Sequence, residues 1–135
     1  MPNSPKKHLL VVDDDDLVRR VLTDMLRASG YTVTPCEDGL RAVEEYKRNG
    51  SCIDLVILDL IMPRMSGRRV LVDLLKLNPD VKVLVISGCD LDPNDPELLE
   101  LGAMGVASKP FQLLDLLCHI ETALSGDKKK WNNNK

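Results

Sequence analysis

Three short stretches end apolar runs in side chains suited to handling a phosphoryl group: VVDDDD (residues 11–16), ILDLIMPRMSG (57–67) and GVASKPF (105–111). In an α/β protein an apolar run that stops at a polar residue reads as a buried parallel strand reaching the edge of its sheet. Asp13, Asp14, Asp59 and Lys109 are then strand-end residues, and the carboxyl edge of an open parallel sheet is where such folds bind ligands. Three carboxylates brought together repel unless one is protonated or a cation binds. A hard divalent cation with oxygen ligands answers that repulsion, and Mg²⁺ tolerates a partly hydrated site of this kind. Carboxylates form acyl phosphates, so Asp59 is the candidate nucleophile. Lys109 is placed to pair with a phosphoryl oxygen, and Ser87, following the fourth apolar run, to donate a hydrogen bond to the same group. Asp15 and Asp16 read instead as helix-start residues, since carboxylates cap helix N-termini and oppose the helix dipole there.

The elements that must hold these residues follow from periodicity. His8–Val12 is a first strand, and Leu17, Val18, Val21, Leu22, Met25 and Leu26 recur at helical spacing until Gly30. Residues 31–36 form a second strand. Leu40, Val43 and Tyr46 mark a second helix closing near Asn49 and Gly50, and 53–58 is an apolar third strand. A helix over 68–77, with Leu71, Leu74 and Leu75 on one face, ends at Asn78-Pro79, and 81–86 is a fourth strand. Pro93 and Pro96 leave 88–95 as a mobile loop before a short helix with Asp95 as N-cap. Gly105–Ser108 is a short fifth strand, and Leu113, Leu116, Leu117, Ile120 and Leu124 give a final helix. Five βα units make a doubly wound, five-stranded parallel sheet with helices on both faces.

The chain has 135 residues, enough for one domain, and a formal net charge of −3. That balance lacks the positive field of nonspecific nucleic-acid binding, so no direct nucleic-acid partner is expected. Cys36, Cys52, Cys89 and Cys118 lack metal-ligand spacing and read as free thiols of a reducing compartment. Without a membrane-length apolar run or a signal-peptide stretch, no membrane partner is expected and the location is read as cytoplasmic. Residues 1–7 and 125–135 read as flexible polar segments flanking a domain over 8–124.

Together, VVDD, LDLIMPRMSG, VLVISG and GAMGVASKPF resemble the receiver domain of bacterial two-component response regulators, over about residues 8–124. The resemblance implies a flavodoxin-like fold with the strand order 2-1-3-4-5 of the chemotaxis receiver. It implies that Asp13 and Asp14 are the acidic pair, Asp59 the phosphoacceptor, Ser87 the switch hydroxyl and Lys109 the family lysine. It further implies that the Ile61 main-chain carbonyl is a Mg²⁺ ligand and that Lys109-Pro110 is a cis peptide. The phosphoryl donor would be a histidine kinase or a phosphotransfer protein, and the output another protein or domain. The domain would be free-standing or part of a hybrid kinase, a phosphoacceptor that assists its own phosphorylation and dephosphorylation. Val106 stands where the family often has an aromatic switch residue. Two rival readings are a receiver-like interaction module that accepts no phosphate, and a haloacid-dehalogenase-type phosphohydrolase using Asp13 and Asp15 as a DxD motif. The latter is disfavoured by Leu17 and by chain length.

Overall fold

In a computed structural model of the chain, residues 6–60, 66–87, 105–108 and 113–125 are described, the last strand by its backbone. The elements are β1 (His8–Val12), α1 (Asp16–Ala28), β2 (Thr32–Cys36), α2 (Gly39–Asn49), a 3-10 turn (Gly50–Cys52), β3 (Leu55–Asp59), α3 (Gly67–Leu77), β4 (Val83–Ser87), β5 (Gly105–Ser108) and a final helix, Leu113–Ser125. The sheet runs β2-β1-β3-β4-β5, and its strand pairs are parallel. Fold class and strand order match the expectation. The helix expected near Asp95 lies outside the described residues.

Strand alternation divides the core in two. Leu10, Val12, Val56, Leu58, Val83 and Val85 pack on one face with Ala42 and Tyr46 of α2 and Val70, Leu71 and Leu74 of α3. Leu9, Val11, Leu55, Ile57, Leu84 and Ile86 pack on the other with Leu22 and Leu26 of α1 and Leu116, Ile120 and Ala123 of the final helix. Because successive side chains of a strand point to opposite faces, a central strand covered on both sides must be apolar throughout. β1 and β3 are read that way in the sequence and are buried along their length, apart from the half-buried His8.

β2 lies at an edge, which suits Pro35. Thr32 donates to the Lys7 carbonyl and Cys36 accepts from Asp13, so alternation turns the backbone groups of Val33 and Pro35 to the open side. Pro35 has no N–H to offer there, and the Arg27 guanidinium donates to the Val33 carbonyl at 3.0 Å. Both features blunt the edge against pairing with another strand. The amino end of the sheet is tied by side chains: the His8 amide donates to Asp54 at 2.8 Å, Asn78 donates to the Tyr46 hydroxyl at 3.0 Å, and the Lys82 ammonium donates to the Leu124 carbonyl at 2.9 Å.

Several boundaries move. β2, β3 and β4 begin one or two residues later than the apolar runs, because Ile53 and Val81 are buried in turns before their ladders start. β3 extends through Asp59 and β4 through Ser87. Leu17 and Val21, read as part of the α1 apolar stripe, are exposed, Leu17 by 70%. They sit roughly 120–160° around the helix from the line of Leu22 and Leu26, too far to reach the sheet. Thr23 is buried in their place, its hydroxyl donating to the Arg19 carbonyl. Leu40 is likewise 62% exposed, and Ala42 takes the core position. Leu74→Ala should therefore cost about 2–5 kcal/mol in urea unfolding, whereas Leu40→Ala should stay within about 0.5 kcal/mol of wild type. Equal losses would contradict this division of the α2 and α3 faces.

Candidate functional site

The register brings the acidic residues to one level. Val12 pairs with Leu58 and Asp59 with Ile86, so Asp13, one residue beyond β1, stands beside Asp59, the last residue of β3. Both continue the rows of alternating residues on the face shared by α1 and the final helix. Carboxylate oxygens of Asp13, Asp14 and Asp59 lie within 4.8 Å of one another. Asp13 and Asp59 are 0% and 5% exposed, and Asp14 is exposed. The predicted convergence of these three side chains is thus present in the structure.

Asp13 is held on three sides. Its amide donates to the Cys36 carbonyl at 3.2 Å, extending the β1–β2 ladder. Its Oδ1 accepts from the Asp15 amide at 2.9 Å, and its carbonyl accepts from Arg19 Nη1 at 2.8 Å. Asp15 is the N-cap of α1, accepting from the amides of Leu17 and Val18, and Asp16 in the first turn pairs with Arg19. The helix-start reading of Asp15 and Asp16 therefore holds, and it separates them from the cluster.

The backbone of Leu60 fixes the position of Asp59. The Leu60 amide donates to the Ile86 carbonyl at 2.9 Å, and the Leu60 carbonyl accepts from the Gly67 amide at 2.9 Å. A Cβ at Gly67 would lie 2.5 Å from Leu60 Cα and 2.7 Å from the Asp59 carbonyl oxygen. Glycine is required there by close backbone approach. Ser66 caps α3 by accepting from the Arg69 amide, so the chain re-enters helix directly against the residue after Asp59. Arg19 does not stand out in the sequence, and Gly67 enters it only as the last residue of LDLIMPRMSG, with no role assigned. The available signal for Gly67 is a glycine immediately after a helix-capping serine.

Ser87 ends β4, one residue beyond the Asp59 partner Ile86, and its backbone pairs with Ser108 at the end of β5. The Ser87 side chain, Ile61 and Lys109 lie outside the described residues, as do the Lys109-Pro110 peptide and the 88–95 loop. Among the described cysteines Cys36, Cys52 and Cys118 are free thiols. Burial pushes the Cys36 thiol up to about 11, reinforced by Glu45 and Asp38 and opposed by Arg41 and Arg19. It stays protonated near neutral pH, and its carbonyl is the group that serves the site. A donor set of three carboxylates, without sulfur or imidazole, fits a hard oxygen-liganded cation.

Residues 9–121 match the response regulator receiver domain family. The chain is 33% identical over 124 residues to the chemotaxis protein CheY of Treponema pallidum, covering 91% of this chain and 86% of that protein. It is 34% identical over 119 residues to the uncharacterized transcriptional regulatory protein YkoG of Bacillus subtilis, covering 88% of this chain and about half (51%) of that protein's length. In structure it superposes on a chain of the CheX-CheY-BeF3-Mg²⁺ complex of Borrelia burgdorferi with a TM-score of 0.84 at 26% identity, covering 89% of this chain and 90% of that one. The chain belongs to the response regulator receiver domain family, the phosphoacceptor signalling domains of two-component systems. No helix among the described residues is long and apolar enough to cross a membrane.

The Gly67 contact makes a direct prediction. Gly67→Ala should destabilise the domain by about 1–3 kcal/mol, as overpacking does, and should shift the backbone amide resonances of Asp59 and Leu60 more than those of Leu9 and Leu10. Unchanged stability and spectra would show that α3 does not brace the Asp59 strand end.

Proposed function

We propose that Asp59 accepts a phosphoryl group from the phosphohistidine of a histidine kinase or phosphotransfer protein. The observation that carries this reading is the convergence within 4.8 Å of one strand-end carboxylate from the middle of the sheet with two from the neighbouring strand. Asp59 is the nucleophile in this reading because it is the carboxylate at the end of the central strand β3. Asp59 lies between β1 and β4, with the acidic pair on one side and the end of the Ser87 strand on the other. A carboxylate oxygen of Asp59 bonds to phosphorus as the phosphorus–nitrogen bond breaks, and the electron pair of that bond returns to the imidazole ring.

Asp13, Asp14, Asp59 and the Ile61 main-chain carbonyl would hold Mg²⁺, consistent with the Mg²⁺ named for the Borrelia CheY complex. When bound, Mg²⁺ supplies neutralisation of charge on the phosphoryl oxygens. Lys109 would pair with a phosphoryl oxygen, and the Ser87 hydroxyl would donate to another and report phosphorylation along β4. These groups let the domain assist its own phosphorylation and dephosphorylation, and residues 8–124 form the unit that does so. Output passes to another protein or domain, in the cytoplasm. The dehalogenase-type alternative needs Asp15 as the second member of a DxD pair, whereas the Asp15 carboxylate caps α1 by accepting from the Leu17 and Val18 amides.

The test uses acetyl phosphate as a small donor, with acetate as the leaving group. In the presence of Mg²⁺ the wild-type protein should gain the mass of one phosphoryl group. Asp59→Ala, or wild type in excess EDTA, should gain none. Equal labelling of wild type and Asp59→Ala would overturn the assignment, and failure of the wild type to label would favour an interaction module that accepts no phosphate.

A further inference from the structure

Arg19 occupies a position that helix stability does not explain. It is the fourth residue of α1, in the first turn, where the helix dipole favours anions and disfavours a guanidinium. Its side chain is nonetheless only 18% exposed, and it turns back toward the strand end. Nη1 donates to the Asp13 carbonyl at 2.8 Å while Nη2 pairs with the exposed carboxylate of Asp16. The carbonyl of Asp13 and the amide of Asp14 belong to one planar peptide unit. Holding that oxygen therefore fixes the plane from which Asp14 departs. Asp14 is the exposed member of the cluster, on a connection between β1 and α1 with little packing of its own. Asp13 is already set by the β2 ladder and the Asp15 amide.

We infer that Arg19 is a positioning residue of the cation site, clamping the Asp13–Asp14 peptide so that the Asp14 carboxylate is presented beside Asp13 and Asp59. The inference rests on the cation-site reading above. The bidentate reach of a guanidinium suits the task, because one arm holds the carbonyl while the Asp16 carboxylate anchors the other. A purely structural role, in which Arg19 only balances Asp16 at the helix start, makes a different prediction, since it would be lost equally from either partner.

Mg²⁺ titration followed by the backbone amides of residues 13–15, together with thermal unfolding in EDTA, separates the two. Arg19→Met should bind Mg²⁺ roughly tenfold more weakly, the scale of losses at groups that orient metal ligands, while unfolding in EDTA within a few degrees of wild type. Asp16→Ala, which removes the anchor but leaves the Nη1 bond to the Asp13 carbonyl, should lose less affinity than Arg19→Met, and Arg19→Lys, which keeps one charged donor, should fall between Arg19→Met and wild type. The inference is overturned if Arg19→Met titrates like wild type, if Asp16→Ala loses as much as Arg19→Met, if Arg19→Lys is no better than Arg19→Met, or if the loss merely tracks a collapse of metal-free stability. Asp14→Ala distinguishes failure of the inference from failure of its premise. Weak binding by Asp14→Ala with normal binding by Arg19→Met removes Arg19 alone, whereas normal binding by Asp14→Ala removes the cation site itself.

Discussion

Like charge at one edge of a sheet is the constraint around which this domain is arranged. Asp13 and Asp59 are both buried and their oxygens approach within 4.8 Å. Like charges held that close in a buried setting repel more strongly than in water, because solvent screens them little there. Such a pair persists only if the scaffold prevents it from separating and positive charge is drawn to it. The exposed Asp14 adds a third acidic group that water screens but does not remove.

The scaffold resists separation because its two central strands have little freedom to move. β1 and β3 pair in register and face apolar layers on both sides, so sliding either by one residue would turn a row of leucine and valine side chains to the wrong face. Backbone contacts finish the task at the strand ends. Asp13 is bonded to β2 and to the start of α1, and Leu60 is bonded to β4 and to Gly67 at the start of α3. The amino edge of the sheet is tied by neutral and charge-assisted bonds through His8, Asp54, Asn78 and Lys82. Three carboxylates gather at the opposite edge, at the β1 and β3 ends.

The architecture was legible in the sequence because each element leaves a strong periodic mark. Doubly covered strands are apolar without interruption, and Asp15, Gly30 and Asn78 punctuate the helices where capping chemistry requires. Gly30, at φ +102°, is the one described residue in the left-handed region. The convergence of Asp13, Asp14 and Asp59 was legible for the same reason, since parallel strands deliver their ends to one edge. Helical spacing does not show which part of a wide apolar stripe meets the sheet, so Leu17, Val21 and Leu40 are more exposed than their periodicity implies. Arg19 and Gly67 escaped because their roles depend on backbone atoms outside their own helices. An arginine in a first helical turn and a glycine after a serine have ordinary readings until the carbonyl of Asp13 and the backbone of Leu60 are seen beside them.

Repulsion among the three carboxylates, offset by a divalent cation, is the central physical claim, and stability with and without that cation measures it most directly. Wild type and Asp14→Asn would be unfolded thermally in EDTA and again in saturating Mg²⁺. With one charge removed, Asp14→Asn should be the more stable protein in EDTA, and Mg²⁺ should stabilise it far less than it stabilises wild type. An Asp14→Asn variant no more stable than wild type in EDTA, and stabilised by Mg²⁺ to the same extent, would contradict the account.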